Sequence, residues 1–445
     1  MMAAYSAAKT QNDCGMEVSV TLLEKMPRPG RKIMITGKGR CNFTNVKDWQ
    51  SFSAHIRTNP NFIKSAFYNM NSEAVIAFFD EYGMRSVVER GDRAFPASYH
   101  ASEVVDTLVQ ACSSYGVKIE VEKEVCGVAR GEGLFEVACT DGSRYVSKAL
   151  VIATGGLSYP GTGSTGDGYS WAEGLGHSVK QCFPSLTALV PRGYKLDGWE
   201  PEMKGHIPRS AELSEMGAAL CGIQLKNIAV QLFADGVKLQ EEFGDIDFTD
   251  GGIEGPTGFQ LSRKAVKAIV NGARNVSVSL DLKAGVPLTE LTQRVKALWS
   301  EVDKDPRSAG LREKEKCRIL LGKLMPWNLI PAFIMCNPGI TTLERRGRSD
   351  TKLWVNLNTI ASCLKDWNFS IQGYVGYERA VVTAGGVNTD EFIAKTMESR
   401  LCKGLYLCGE LLDIDSDTGG YNLQTAFSTG CLAGLSAAKA LSRKQ

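Results

Sequence analysis

The sequence predicts an α/β protein in which a Rossmann-like nucleotide-binding domain is split by an inserted segment. Residues 17–23 have the pattern of a buried strand and lead directly into Glu24, and the apolar run 148–154 leads into Gly155. After residue 368 an apolar strand followed by glycine occurs again. Acidic residues and glycines at strand ends are typical of sheets that bind nucleotides at their carboxyl edge.

The other elements follow in chain order. An Ala-rich first helix is predicted over residues 1–10, and helical spacing recurs in two later segments, residues 59–82 and 101–115. Three short antiparallel strands are expected next, at residues 117–128, 134–139 and 143–146. From about residue 184 β-rich segments with turns predict an inserted β domain, residues 288–335 return to helical periodicity, and an Ala/Leu-rich helix ends the chain.

Bulk composition excludes several classes of protein. The chain has 445 residues, and its 51 Lys and Arg against 49 Asp and Glu give a net charge of +2, which favours neither nucleic acid nor membrane as a partner. The 13 cysteines contain no C-x-x-C pair and no metal-ligand spacing, so we expect a reducing compartment and no metal. The protein is expected to be soluble and cytoplasmic, with a small-molecule substrate; no local feature indicates an oligomeric state.

Glu24 is the first candidate for cofactor binding. In a nucleotide-binding β-α-β unit, an acidic residue at the tip of the second strand binds ribose hydroxyls about 20 residues after the glycine fingerprint. Counting back from Glu24 reaches the start of the chain, so the fingerprint is expected to precede Met1. The alternative is a surface glutamate that closes a strand.

A literal G-x-G-x-x-G occurs at residues 161–166. Six residues, including Pro160, separate it from the strand end at Thr154, whereas a pyrophosphate-binding turn must follow its strand at once. We therefore interpret this motif as a flexible loop near a cofactor.

Two further glycine-containing strand ends are candidates. Gly155 and Gly156 could let the backbone approach a ligand, although a tight turn explains them equally well. Glu410 follows an apolar strand, and Gly419 and Gly420 precede a helix whose N-terminus would stabilise the negative charge of a reduced flavin. An acidic turn that caps the helix is the alternative.

A glycine- and cation-rich loop at residues 30–45 could wrap phosphates or line a flavin ring, or it could be a basic surface loop. Cys41 in this loop has no partner thiol and is expected to be a packing or flavin-adjacent residue. The four histidines show no ligand spacing and are expected to be structural or exposed: His55, His100, His177 and His206.

Five stretches together resemble one family, the HI0933-like flavoproteins. They are GRKIMITGKGRCNFTN (30–45), ATGGLSYPGTGSTGDGY (153–169), FTDGGIEGP (248–256), VTAGGV (382–387) and GELLDIDSDTGGYNLQTAFSTG (409–430). The family, also labelled aminoacetone oxidase or BaiN-type, consists of bacterial FAD-binding, NAD(P)-dependent oxidoreductases. The resemblance spans essentially the whole chain in the right order.

The resemblance implies a two-dinucleotide-binding-type FAD domain with an inserted β-barrel and a small helical subdomain. The expected segments are residues 1–185 for the first part of the FAD domain, 186–285 for the barrel, 286–367 for the helical insertion, and 368–445 for the return to the barrel and the second part of the FAD domain.

Residue roles also follow from the resemblance. It implies that Glu24 holds the adenosine ribose, that Thr154 and Gly155 border the adenine half, and that Glu410 lies near the ribityl chain. Gly419 to Gln424 would face the pyrimidine side of the flavin, with Arg40 to Asn42 close to the ring. The full expected cofactor-binding set is Glu24, Arg31, Gly37, Gly39, Arg40, Cys41, Asn42, Val125, Thr154, Gly155, Gly156, Gly409, Glu410, Gly419, Gly420, Tyr421, Asn422, Leu423 and Gln424.

The family pattern begins with a strand and a Gly-rich fingerprint before the helix that here starts at Met1. Either the start codon was assigned to an internal methionine or the chain is a fragment. We expect these 445 residues alone to bind FAD poorly or to misfold, and the upstream codons to restore flavin binding.

The expected activity is hydride transfer from NAD(P)H through FAD to an organic acceptor. One branch of the family is associated with conjugated C=C bonds of bile-acid-like enones, which makes that substrate class a candidate. A flavin oxidase that uses oxygen and a non-catalytic truncated flavoprotein are the alternatives. No catalytic residue is assigned.

Overall fold

A computed structural model describes residues 1–13, 15, 19–346 and 350–442, with the side chains of residues 344–352 outside the description. The chain divides into two compact units. Unit 1 comprises Met1–Ser185 and Ala380–Gln445, and unit 2 comprises Leu186–Arg379.

The α-helices of the described residues are α1 (Met2–Asp13), α2 (Arg31–Ile35), α3 (Trp49–Ser53), α4 (Lys64–Asn69), α5 (Ser72–Glu81), α6 (Ala101–Ser114), α7 (Asp167–Gly174), α8 (Glu215–Leu220), α9 (Gly255–Val270), α10 (Leu288–Lys304), α11 (Glu313–Gly322), α12 (Ile330–Cys336), α13 (Leu357–Lys365) and α14 (Tyr421–Ser442). Short 3-10 helices lie at Thr36–Gly39, Pro60–Ile63, Pro160–Thr162, Pro306–Ser308, Trp327–Leu329, Pro338–Ile340, Thr389–Glu391 and Gly409–Leu411.

The strands of the described residues are β1 (Thr21–Leu23), β2 (Thr44–Asn45), β3 (Ser86–Glu89), β4 (Arg93–Pro96), β5 (Lys118–Glu120), β6 (Val125–Gly131), β7 (Leu134–Cys139), β8 (Arg144–Ser147), β9 (Leu150–Ile152), β10 (Val179–Ser185), β11 (Leu189–Pro191), β12 (Gln224–Ala234), β13 (Val237–Thr249), β14 (Gly252–Glu254), β15 (Val276–Asp281), β16 (Thr341–Arg346), β17 (Asp350–Val355), β18 (Trp367–Tyr374), β19 (Val382–Val387), β20 (Phe392–Ile393), β21 (Glu398–Ser399) and β22 (Leu405–Leu407).

The described part of unit 1 contains two parallel strand pairs. β1 runs parallel to β5, with Leu22 opposite Ile119. β9 runs parallel to β22, with Val151 opposite Tyr406, in a four-stranded sheet of order β20-β21-β22-β9. Parallel pairs require crossover connections, which here carry helices. The predicted α/β class is therefore confirmed.

The prediction of one antiparallel strand over residues 117–128 is wrong. These residues form β5, which is parallel to β1, and the start of β6, which belongs to a separate antiparallel sheet of β6, β7 and β8. The break lies at Glu122, whose φ of 55° is left-handed and cannot continue an extended strand. Of the strand predicted over residues 17–23, β1 covers the last three, and Glu17 and Val18 lie outside the described residues.

Small residues bring α1 and α14 into close contact. The Ser6 hydroxyl donates a hydrogen bond of 2.8 Å to the Cys431 carbonyl oxygen. A Cβ added at Gly434 would overlap the Ala3 carbonyl oxygen, so only glycine permits this approach. On α1, Tyr5 also packs edge-on against Phe78 at 5.0 Å between ring centres. The Ala-rich composition of the first helix therefore serves close packing.

Unit 2 is built around a closed six-stranded barrel of order β11-β14-β13-β12-β15-β18. Its longest pairing joins β12 and β13, with Val230 opposite Glu242. Trp367 is fully buried and packs against Phe369 and Phe333 at 4.9 and 5.2 Å between ring centres. None of the helices in the described residues combines the length and apolar character that crossing a bilayer requires.

Candidate functional site

Glu24 lies at the carboxyl end of β1. Its backbone N–H donates to the Glu120 carbonyl oxygen, which extends the parallel pairing with β5. Its Oε1 accepts a hydrogen bond of 2.9 Å from the Met26 N–H. Burial raises the pKa of the Glu24 carboxyl above its ordinary value. The carboxylate is thus fixed at the strand end where ribose hydroxyls bind in nucleotide-binding folds.

The glycine-rich loop at residues 161–166 packs against the turn that follows β1. Lys25 Nζ lies 2.6 Å from Asp167 Oδ2. A Cβ added at Gly163, whose φ is 105°, would lie 2.9 Å from Met26 Cγ. Both the conformation and the space at this position therefore favour glycine.

Glu410 is at the centre of a second cluster. Its Oε2 lies 2.6 Å from Lys32 Nζ, and its Oε1 accepts hydrogen bonds of 2.8 Å from Ser158 Oγ and from the Thr383 N–H. Lys32 Nζ also donates to Ser158 Oγ at 2.5 Å. The Thr383 hydroxyl oxygen accepts a hydrogen bond from the Leu157 N–H at 2.8 Å. The carboxylate therefore joins distant segments of unit 1.

Gly155 and Gly156 leave space for this cluster. A Cβ added at Gly156 would overlap Thr383 Oγ1 and lie 3.1 Å from Glu410 Oε1. Gly155 has a φ of 76°, and a Cβ there would lie 3.0 Å from Ser164 Oγ. The two glycines after β9 thus allow an approach that a larger residue would prevent.

The N-terminus of α14 forms the third part of the candidate site. Gly420 has a φ of 93°, and a Cβ added to it would lie 2.5 Å from the carbonyl carbon and oxygen of Thr44. Asn42 Oδ1 is buried here and has no hydrogen-bond partner in the described part of the chain. α14 begins at Tyr421, so the N–H groups that a helix leaves unbonded emerge beside these residues.

Side chains early in α14 are held by the protein itself. Asn422 Oδ1 accepts a hydrogen bond of 2.9 Å from the Ser416 N–H, and its amide donates to the carbonyls of Ser416 and Asp417. Gln424 is fully buried, and its amide donates to the Met70 carbonyl at 2.8 Å. These amides position the turn before α14.

The loop before β2 places Arg40 between two aromatic rings. The centre of its guanidinium lies 4.6 Å from the Phe95 ring and 4.5 Å from the Tyr99 ring. Cys41 is buried, and burial raises the pKa of its thiol to about 12. Cys41 is thus a packing residue in this structure.

Other residues of the predicted set are dispersed over unit 1. Gly37, Gly39 and Gly409 have positive φ within 3-10 helices, and Gly419 has positive φ in a turn. Arg31 is exposed at the start of α2, and Leu423 packs against an apolar core. Val125 pairs with Cys139, and Thr154 Oγ1 lies against Gly168.

The buried state of Cys41 gives a first testable prediction. At pH 8 a thiol with this raised pKa is almost entirely protonated, about one part in ten thousand thiolate. Iodoacetamide should therefore modify the exposed Cys126 of the native protein and leave Cys41 unmodified. Peptide mass spectrometry measures both. Equal modification would show that Cys41 is accessible, and unfolding in urea provides the positive control for its reactivity.

These features fit FAD. The glycines after β9 and before α14 let neighbouring segments of unit 1 approach closely, and the orphaned Asn42 oxygen and the N-terminus of α14 supply polar groups for a flavin ring. Glu24 supplies an acceptor for ribose.

Comparison with known proteins decides the family. The HI0933-like protein Rossmann domain matches residues 1–436. The chain belongs to the HI0933-like family. Its members are FAD-binding flavoprotein oxidoreductases, so the predicted family, the Rossmann-like fold and the FAD cofactor are confirmed at this level.

Curated relatives of this HI0933-like protein match it along nearly its whole length. The 3-dehydro-bile acid delta(4,6)-reductase of Clostridium scindens is 31% identical over 99% of this chain and 96% of its own. The ribosomal RNA dihydrouridine synthase of Haemophilus influenzae is 30% identical over 94% of this chain and 92% of its own. A solved quinol-fumarate reductase covers all of this chain and 70% of its own, with 15% identity and a TM-score of 0.49.

Several residues of the candidate site were missed by the sequence analysis. Lys32, Ser158 and Thr383 complete the Glu410 cluster, and all three lie within the stretches that carry the family resemblance. His55 pairs with the buried Asp417 at 3.0 Å. No spacing rule predicts that pair, because 362 positions separate the two residues.

Glu24→Gln is expected to weaken FAD binding about tenfold, because an amide is a poorer acceptor for ribose hydroxyls than a carboxylate. The same substitution should stabilise the folded apoprotein at neutral pH, although it weakens FAD binding. The raised pKa means that ionised Glu24 disfavours the folded state, a cost that develops as pH rises from the unfolded pKa of about 4.3 through the folded value.

Urea unfolding of the apoprotein near pH 4 and near pH 7 tests the sign. The variant should gain stability relative to wild type as pH rises; a gain on lowering the pH would contradict the assignment. Glu173→Gln, at an exposed position of α7, is the matched control.

Proposed function

We propose that this HI0933-like protein is an FAD-dependent reductase that takes hydride from NAD(P)H and reduces a C=C bond conjugated to a carbonyl group in a small organic molecule. The observation that carries the proposal is the chemistry shared by its full-length relatives. One is named for reduction of delta(4,6) double bonds in a 3-dehydro-bile acid, and the other for making dihydrouridine. Both names denote saturation of a ring C=C bond near a carbonyl.

The chain offers candidate groups for three parts of the cofactor. Glu24 would hold the adenosine ribose, the Lys32–Glu410–Ser158 cluster would contact the polar chain that links the two halves, and the N-terminus of α14 would face the flavin pyrimidine. When bound, FAD supplies two-electron hydride chemistry. The protein's part is to position the ring and to stabilise negative charge beside the Gly420 turn.

A small-molecule substrate is favoured over RNA by charge. The net charge of +2 over 445 residues gives no general attraction for a phosphate backbone. The dihydrouridine synthase relatives make RNA the second candidate substrate, so both are included in the test.

The experiment measures nicotinamide oxidation by the flavin-loaded protein expressed from its complete gene, under anaerobic conditions except where oxygen is the acceptor. NADH and NADPH are each offered with a 3-oxo-4-ene steroid, with a uridine-containing ribosomal RNA transcript, or with air. We expect nicotinamide oxidation that depends on the steroid enone, with a product that has gained two hydrogens. Turnover only with RNA would show that the substrate is a nucleic acid. Turnover only with oxygen would show that the protein is an oxidase and would contradict the proposal.

A further inference from the structure

The loop that precedes α14 is fixed to the segment around His55. Ile56 and Ser416 form an isolated antiparallel bridge. The Asp417 N–H donates to the His55 carbonyl oxygen at 3.0 Å, and the Arg57 N–H donates to the Asp415 carbonyl oxygen at 2.8 Å. These backbone bonds hold His55 beside the turn that leads into α14.

Asp417 orients the imidazole of His55. Its side chain is only 5% exposed, and Oδ2 lies 3.0 Å from His55 Nδ1. Arg57 donates to the same carboxylate from Nε at 2.7 Å and from Nη2 at 2.5 Å. Because Arg57 donates to both carboxylate oxygens, we infer that His55 Nδ1 carries a proton and donates it to Asp417.

The second ring nitrogen of His55 is available for chemistry. The imidazole stacks on the Tyr421 ring at 4.3 Å with 18° between the planes, which fixes its orientation. The His55 side chain is 34% exposed, and Nε2 makes no hydrogen bond within the described part of the chain. Tyr421 directly follows Gly419 and Gly420, the turn proposed to face the flavin.

We propose that His55 is the proton donor of the reduction and that Asp417 is its positioning residue. This inference rests on the proposed function. Hydride from the nicotinamide donor, delivered through FAD, forms the new C–H bond at the β-carbon as the C=C bond breaks. The imidazolium form of His55 gives the proton on Nε2 to form the C–H bond at the α-carbon, which leaves the neutral ring protonated at Nδ1, and this ring regains a proton at Nε2 from solvent. The substrate gains one hydride and one proton, and the nicotinamide is oxidised.

The arrangement matches the chemical need. A general acid that protonates a carbon must be exposed enough to meet the substrate, and its ring must hold one tautomer. The Asp417 carboxylate at Nδ1 of His55 fixes the tautomer. A purely structural clamp needs the same Asp417 contacts but gives Nε2 no role. The two explanations therefore differ in what the His55→Gln substitution does to each half of the reaction.

The first measurement separates the two half-reactions by stopped flow. His55→Gln should slow substrate reduction about 100-fold or more. Flavin reduction by NAD(P)H should stay within about threefold of wild type, because that step needs no proton from the substrate side. His100→Gln, at an exposed histidine in the same unit, is the control and should change neither step. Substrate reduction within threefold of wild type in His55→Gln would overturn the proposal, as would an equal loss in both steps.

The second measurement needs no turnover. Nitrogen-15 NMR of labelled histidine should show the neutral His55 ring protonated at Nδ1 in wild type, and Asp417→Asn should shift the proton population toward Nε2. A neutral wild-type ring that carries its single proton at Nε2 would overturn the inference. If wild type reduces no enone, the proposed function fails and so does the proton transfer built on it, whereas the tautomer still decides whether Asp417 orients His55.

Discussion

Glu410→Ala is expected to abolish stable FAD binding and to lower the free energy of unfolding by about 2–3 kcal/mol. The substitution removes the Glu410 carboxylate as an acceptor for three donors: Lys32 Nζ, Ser158 Oγ and the Thr383 N–H. The Lys32 and Glu410 side chains are 26% and 19% exposed, so water can replace part of the lost interaction, and the cost lies below that of a fully buried pair.

Flavin absorbance after gel filtration measures the binding, and urea unfolding of the apoprotein measures the stability. Glu173→Ala is the matched control, because that glutamate is exposed on α7 of the same unit. A Glu410→Ala variant that purifies with a full complement of flavin would show that this carboxylate lies outside the cofactor site.

Gly420→Ala is expected to remove FAD binding and to destabilise the fold by about 2–4 kcal/mol. Its φ of 93° is strained for any residue with a side chain, and the added Cβ would lie 2.5 Å from the Thr44 carbonyl, which is backbone and cannot rotate away. The turn would have to move, and the N-terminus of α14 would move with it.

Gly174→Ala provides the matched comparison. A Cβ at Gly174 meets nothing within 4 Å, and the residue ends the helix α7. That variant should keep its flavin and should be as stable as wild type or slightly more stable. Flavin absorbance measures the bound cofactor, and thermal unfolding measures the stability of each variant. Full flavin retention in Gly420→Ala would contradict the role given to the α14 turn.

Local sequence patterns predicted the parts of the fold that depend on local physics. An apolar run ending in Glu24 predicted a strand with a carboxylate at its tip, and β1 forms the last three residues of that run. The β-rich segments after residue 184 predicted the insertion that forms the barrel. These features depend on side-chain periodicity and on turn residues, which a sequence displays directly.

Local sequence patterns did not predict which strands pair or which distant side chains meet. The β propensity of residues 117–128 gave no sign that their first part pairs in parallel with β1, since propensity carries no information about the partner. Lys32 meets Glu410 across 378 positions. His55 was expected to be structural or exposed because the four histidines show no ligand spacing, and its partner Asp417 lies 362 positions away.

The account depends on one claim: Glu24, the Glu410 cluster and the α14 turn bind a single FAD. The most direct test is a fluorescence titration of the apoprotein, expressed from its complete gene, with FAD. We predict saturation at one FAD per chain, with binding weakened in Glu24→Gln and lost in Gly420→Ala. A wild-type protein that stays colourless and leaves flavin fluorescence unchanged at every FAD concentration would contradict the claim.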